Sequence, residues 1–438
     1  MSNQDHGARL RDAYAALERG ATDEAGALAE ALLAAAPDEA DHWRLLARVR
    51  LARLDRSGAR AALERGATEA RAPAALFSDL AEFCIRAADG AGALAAAATA
   101  RRLGGDIVRL VQLDARAKFI AGEHAAALID FELAAHQAPD NADLQLSLAN
   151  AQLLLGLRSE ALAVLDRYAA RHPGGRAAAQ AIRARLDPAA PERSLPALDA
   201  ALAATPADPV LRLLKAMLLT LTGDAAAAQP YLDVTATDPR MRERWEAFET
   251  LRAAGCERFV GLPRAVLDAG LDAVQVEGHT AEFGVFAGLS LAHLAGRTAG
   301  PVHGFDSFRG LGEDWTLGVP KGTFDRGGRP PPVAANVVLH VGEFSATLPG
   351  FAAEAGPARL WHVDCDLYSS TKTVLDHLGD RLVPGSIVVF DDYLGFPDAR
   401  AHEFRAWQEF VAARGLRYRA LAYTLLGREL AVQVEAIG

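Results

Sequence analysis

Prolines and glycines in the first half of this chain recur with a beat of 33 or 34 residues, and no other feature restricts the fold so tightly. Pro37, Pro139, Pro173, Pro206 and Pro239 close helical runs at intervals of 102, 34, 33 and 33, the first being three times 34. The turn glycines keep the same time: Gly122 and Gly156 lie 34 apart, Gly20 lies 102 before Gly122, and Gly223 lies 67 after Gly156. A period of this length means helix hairpins, each too small to bury its apolar face alone, stacked into a curved solenoid. The hydrophobic share of 51% is rich in alanine over this half, which suits closely packed helices.

One unit stands out in the segment GEHAAALIDFELAAHQAPD. Ala127, Phe131, Ala134 and Pro139 occupy its small, large, small and proline positions, and the pattern resembles the tetratricopeptide repeat. It blurs around Pro73 and the Gly104-Gly105 pair and is irregular from Pro188 to Pro196, so distorted repeats are expected there. A solenoid offers a concave surface to a protein partner, a substrate chain or a second subunit. It serves equally as a packing spacer, and nothing in the repeat names a ligand.

With 438 residues, two domains are expected. The predicted division is a tetratricopeptide-like array over 1–240, linking helices over 241–270 and an α/β domain over 271–438. In that last part short apolar runs alternate with helical ones: TAEFGV (280–285), PVHGFD (301–306), NVVLHV (336–341), ARLWHVD (358–364) and SIVVFDD (386–392). Alternation of this kind predicts a mostly parallel sheet covered by helices, with ligands beyond the carboxyl ends of the strands. YRALAYTLL and ELAVQVE, parted by a Gly-Arg turn, predict a closing hairpin. The expected fold class is therefore an α-helical solenoid followed by an α/β, Rossmann-like domain of the class I methyltransferase type.

Several function classes are excluded. A net charge of -10 argues against binding nucleic acid, which needs a basic surface. No stretch has the length and apolarity of a membrane span, and the first residues lack a secretory core. Cys84, Cys256 and Cys365 have neither zinc nor redox spacing, and a reducing, cytoplasmic location is expected.

The candidate site residues lie at strand ends. In EFGVFAGLSLAHLAG, Glu282, Gly284, Gly288 and Ser290 surround a strand-to-helix turn where backbone N–H groups meet a ligand and Glu282 attracts the ammonium of an amino-acid cofactor. The alternative is a tight turn with a capping acid. Phe286 replaces the middle glycine of a dinucleotide fingerprint, which counts against a nicotinamide enzyme. Asp306 and Ser307, in HGFDSFRGL, follow the second strand, where a carboxylate accepts ribose hydroxyls; N-capping is the other reading. HVDCDLYSST and VVFDDYLG bring Asp364, Asp366, Asp391 and Asp392 to one rim, where they repel unless protonated or bridged by a cation. Carboxylates with no histidine or cysteine beside them suit Mg²⁺, while solvated acids capping helices are the alternative. His362 reads as a packed strand residue, and His279 and His340 are open. The Gly- and Pro-rich segment 310–336 reads as a lid or as a loop without function.

Taken in order, EFGVFAG, FDSFRGL, VGEFSATLP, DCDLYSST and PGSIVVFDDY resemble the macrocin O-methyltransferase family over roughly the last 180 residues. The resemblance implies a Mg²⁺-dependent, S-adenosylmethionine-dependent enzyme acting on sugar hydroxyls of natural products. It implies that Asp364, Asp391 and Asp392 hold the metal and that Asp364 or Asp366 helps remove the hydroxyl proton. The repeat array departs from the single-domain family, and Leu367 stands where related catechol-type enzymes carry a catalytic lysine. The expected function is metal-assisted O-methylation of a small-molecule or glycan hydroxyl, on a sugar, a glycosylated natural product or a polysaccharide. The alternatives are a tetratricopeptide scaffold with an inactive methyltransferase-like domain, or a metal-independent N- or carboxyl-methyltransferase.

Overall fold

The computed structural model describes residues 3–53, 55–172, 174–316 and 318–438, with side chains from Gly7 onward. Contacts divide it into two compact units, up to Ala138 and from Pro139.

The first unit is four helix hairpins: Asn3–Glu18 with Thr22–Ala35, Ala40–Ala52 with Arg56–Glu69, Ala74–Arg86 with Gly90–Arg102, and Ile107–Ile120 with His124–Gln137. Gly20 and Gly122 turn their hairpins in the left-handed conformation, with φ of 77° and 84°. Ala127, Phe131 and Ala134 are buried, as the repeat pattern requires. The distortion expected around Pro73 and Gly104-Gly105 is absent. Pro73 opens a regular helix, and Asp89 and Asp106 cap the next two by accepting the N–H groups of Gly92 and Arg109. Successive hairpins are tied by a ladder in which Asp79 accepts from Arg44 at 2.6 Å and Arg109 at 2.5 Å.

The second unit begins with the hairpin Ala142–Leu154 and Arg158–Arg171 and continues through Gly175–Arg185, Leu195–Ala204 and Pro209–Leu221 to the helix Pro239–Ala253. The stretch from Pro188 to Pro196 is irregular, as expected, with a short 3₁₀ turn over Pro191–Ser194. Pro206 follows a helix, but Pro239 starts one, and Pro173 lies outside the described residues.

Eight strands then form one sheet: β1 (Arg258–Val260), β2 (His279–Phe283), β3 (Val302–Asp306), β4 (Val337–Val341), β5 (Ala358–Val363), β6 (Ile387–Phe390), β7 (Arg417–Thr424) and β8 (Leu430–Ala436). Their spatial order is β1-β7-β8-β6-β5-β2-β3-β4. All neighbours run parallel except β8, which is antiparallel to both β6 and β7. The hairpin therefore folds back and inserts its last strand beside β6. The chain is thus a tetratricopeptide-type helical region followed by an α/β sheet of Rossmann-like type. β1 is the strand that periodicity did not reveal, since three residues are too few to show alternation.

One face of this sheet shares its core with the preceding helices. Ile182, Leu211, Leu214, Met217 and Phe248 belong to the same buried cluster as Phe259, Phe283, Trp361 and Phe390. Burial of each such side chain stabilises by about 1.5–3 kcal/mol. Removal of residues 1–138 is therefore expected to leave a cooperatively unfolding protein, whereas removal of 1–253 strips several core side chains and yields an insoluble or molten product. Calorimetry of the two truncations checks this, and a sharp transition in the shorter one would contradict it.

Candidate active-site cleft

The chain leaves β2 through Gly284, with φ of 93°, where a Cβ would stand 1.7 Å from the carbonyl oxygen of Asp364. Only glycine fits this approach. Phe286 follows, also left-handed at φ 45°. Asp306 holds this strained turn: Oδ2 accepts the N–H groups of Val285 and Phe286, each at 2.8 Å, and Oδ1 accepts that of Phe308 at 2.7 Å. Gly284, Asp306 and Ser307 line a cleft of about 710 Å³ at the carboxyl ends of the strands.

The other residues expected around that turn sit elsewhere. Gly288 opens the helix Leu289–Arg297 and faces Pro331, and neither Gly288 nor Ser290 lines the cleft. Glu282 is fully buried behind the wall, where Oε1 accepts from His362 Nδ1 at 2.8 Å and Oε2 has no hydrogen-bond partner among the described residues. Burial alone would lower the His362 pKa, but the Glu282 bond and charge outweigh it and hold the imidazole above its usual range.

Parallel register builds the acidic rim. Val363 pairs with Phe390, so Asp364 and Asp391, the next residues, emerge side by side. Their N–H groups donate to Phe283 and Val363, both at 2.9 Å. Candidate ligand oxygens of Asp364, Asp366 and Asp392 all lie within 4.8 Å of one another, and Glu282, His362 and Asp364 form a second such group. Asp391 lines the same cleft, its Oδ1 3.8 Å from His362 Nε2. The tight trio thus includes Asp366 where the resemblance implied Asp391. A histidine also stands against the carboxylates, contrary to the reading of the strand ends. His362 is a packed strand residue as well, pointing into the acidic group from β5.

Two contributors were not visible in the sequence. Glu403, on the helix Glu403–Ala413, is fully buried and accepts the N–H groups of Cys365 at 3.3 Å and of Asp366 and Asp392, each at 3.2 Å. It therefore pins both acidic loops. It also accounts for Asp366, held left-handed at φ 62°. Arg428, in the β7–β8 turn, donates from Nη1 to Asp392 Oδ1 at 2.7 Å.

Burial and repulsion dominate the electrostatics. Asp364 and Asp366 are raised well above the ordinary carboxylate range by burial and then by the neighbouring aspartates, and Asp391 is pushed up to about 8 by burial and Asp392. Seven carboxyl groups, those of Glu282, Asp364, Asp366, Asp391, Asp392, Glu403 and Glu429, crowd around Arg428 and His362, more than these two cations can balance if all were ionised. A set of hard oxygen donors with one imidazole fits Mg²⁺ or Mn²⁺.

This arrangement fixes a pH dependence. Folded Asp391 keeps its proton up to about pH 8, whereas in the unfolded chain it loses it near 3.8. The folded state binds more protons between those values, so metal-free stability falls as pH rises through that window. Melting temperatures measured with EDTA should decline towards alkaline pH, and added Mg²⁺ or Mn²⁺ should recover progressively more of the loss. A stabilisation by the ion that is equal at acid and alkaline pH would contradict this.

The long segment after β3 forms part of the cleft. Gly310, Leu311, Gly312, Glu313, Trp315 and Phe324 line it. Ser369 Oγ donates to Glu313 at 2.5 Å, and Thr316 Oγ1 to the Pro397 carbonyl at 3.1 Å. Of the two histidines that the sequence left open, His279 accepts from Trp361 Nε1 at 2.9 Å, and His340 stacks on Phe305 with ring centroids 4.3 Å apart; neither lines the cleft.

Residues 281–393, from β2 to just beyond β6, match the family described as "Methyltransferase domain". This part of the chain is a methyltransferase domain. Residues 118–186 match the tetratricopeptide repeat family. No curated protein matches the chain significantly. Solved structures similar to it include the O-methyltransferase NovP, at 24% identity and TM-score 0.29, over 40% of this chain and 78% of that one. The calicheamicin methyltransferase CalS11 has 22% identity and TM-score 0.29, over 48% of this chain and 92% of that one. PilF from Pseudomonas aeruginosa has 16% identity and TM-score 0.36, over 56% of this chain and 98% of that one.

Proposed function

We propose that the chain is an S-adenosylmethionine-dependent O-methyltransferase that uses a divalent ion, Mg²⁺ or Mn²⁺, and methylates a hydroxyl of a sugar, a glycosylated natural product or a polysaccharide. The observation that carries this reading is the convergence of Asp364, Asp366 and Asp392, with Asp391 beside them, on a cleft that Gly284, Asp306 and Ser307 also line. The methyl donor supplies an electrophilic carbon, and a divalent ion supplies Lewis acidity that makes an alcohol a competent nucleophile near neutral pH.

In this reading Asp364, Asp391 and Asp392 hold the ion, with Asp366 completing the group. Asp366 also accepts the hydroxyl proton: it is buried, its proton affinity is raised by Asp392 and Asp391, and Glu403 fixes its backbone. Gly284 lines the part of the cleft assigned to the methyl donor, and Asp306 and Ser307 face its ribose. Glu282 acts from behind the wall by orienting His362 towards Asp391. Trp315 and Phe324 exclude water from the reacting atoms. The repeat region is proposed to hold a protein partner or the acceptor, a role suited to the exposed apolar side chains Ile107, Ile129 and Leu133. No helix among the described residues is long and apolar enough to cross a membrane.

Titration calorimetry with S-adenosylmethionine, with and without Mg²⁺, tests the cofactor assignment, and a screen of neutral, amino and acidic glycosides tests the acceptor. Micromolar binding of the methyl donor and EDTA-sensitive methylation of a hydroxyl are expected. Failure to bind the donor, or methylation unaffected by EDTA, would remove the proposal.

A further inference from the structure

Arg428 joins two parts of the cleft that are far apart in sequence. Its guanidinium donates to Asp392 Oδ1 at 2.7 Å, lies 4.6 Å from the ring centre of Phe396 and 5.7 Å from that of Trp315. Trp315 belongs to the long segment after β3 and packs edge-on against Phe396 at 5.5 Å. The next residue, Thr316, bonds to the Pro397 carbonyl. The Arg428 carbonyl meanwhile accepts the Tyr393 N–H at 3.1 Å, fixing the loop that carries Asp392. One side chain thus contacts a rim carboxylate and the aromatic wall opposite it.

We propose that Arg428 is a positioning residue that couples the divalent ion at the acidic rim to Trp315, so that the wall facing the acceptor responds to the ion. The inference rests on the metal-assisted reading above. The physical basis is competition: Asp392 belongs to the tight carboxylate trio and to the Arg428 pair at once. A divalent ion drawing on Asp392 repels the guanidinium and weakens that pair, which leaves Arg428 to its aromatic neighbours, where cation–π attraction persists without the carboxylate. By linkage, whatever settles Trp315 against Arg428 alters the affinity for the ion by the same factor. Arg428 touches neither the transferred methyl group nor the proton in this scheme.

The test is Mn²⁺ titration of the full chain, followed by calorimetry and by tryptophan emission, in the wild type, Arg428→Met, Arg428→Lys and Trp315→Phe. Removing a positive charge beside the rim should tighten Mn²⁺ binding in Arg428→Met by about tenfold, the effect of one charge on a divalent neighbour in a solvated site. Arg428→Lys, which keeps the charge, should bind Mn²⁺ close to the wild-type affinity. Wild-type emission should change as the ion binds, and that change should vanish in both Trp315→Phe and Arg428→Met. A merely structural role for Arg428 would weaken ion binding in Arg428→Met, and equal or weaker binding there overturns the proposal. So does Mn²⁺ binding to the wild type with no change in Trp315 emission, which would leave the metal-assisted reading intact. If the wild type binds no Mn²⁺ at all, that reading fails and the coupling falls with it.

Discussion

Asp364→Asn is expected to lower methyl transfer by about a thousandfold or more, equivalent to about 4 kcal/mol of lost transition-state stabilisation. Asp364 belongs to both candidate ligand groups, the one with Asp366 and Asp392 and the one with Glu282 and His362, so no other single change touches the rim as centrally. The carboxylate-to-amide change conserves shape while removing a charge that its neighbours oppose. Burial and repulsion from Asp391 and Asp366 already raise its proton affinity, so the variant should fold normally and, without metal, melt at or above the wild-type temperature near neutral pH. Affinity for S-adenosylmethionine should stay within a few-fold, because Gly284, Asp306 and Ser307 are untouched. Activity, ion binding and melting measured on one preparation separate the possibilities. Retained activity in Asp364→Asn, or a loss explained by unfolding, would defeat the assignment.

The second large effect concerns stability. Glu403→Ala removes the acceptor for three backbone N–H groups, those of Cys365, Asp366 and Asp392, in a position with no access to water. Each buried donor left without a partner costs about 1–3 kcal/mol, so a loss of about 3 kcal/mol or more is expected, reduced somewhat by relief of repulsion from the neighbouring aspartates. Glu403→Gln keeps a carbonyl oxygen for Cys365 and Asp366 and should lose roughly half as much. Denaturant unfolding of both variants gives the comparison. Equal stability of the alanine and glutamine variants would show that Glu403 does not hold the two loops. Because Asp366 is kept in a left-handed conformation, Glu403→Ala should also weaken ion binding, which a purely global destabilisation would not do below the melting temperature.

Much of the fold was legible because its signals are local. A proline or glycine acts on its own turn, so the 33- to 34-residue beat survives in the sequence, and Gly20, Gly122, Gly156 and Gly223 all adopt positive φ where the beat places them. Each run from β2 to β8 carries enough apolar residues to show itself, and the acids at the ends of β5 and β6 could be read as a rim because parallel strands deliver their carboxyl ends to one edge. The distortion expected near Pro73 did not follow, since capping by Asp89 and Asp106 is as effective a helix signal as the proline spacing that was sought.

What sequence alone determined, then, is which segments turn, which run as strands and which acids stand at strand ends, all decided by residues within a few positions of one another. Tertiary structure decided the rest. Placing β8 between β6 and β7 brings Arg428 to Asp392, the helix Glu403–Ala413 sets a carboxylate beneath both acidic loops, and pairing with His362 keeps Glu282 buried and out of the cleft lining. Each of these depends on a long-range pairing that burial of the shared core selects, and electrostatic contacts made across such pairings leave no periodic trace along the chain.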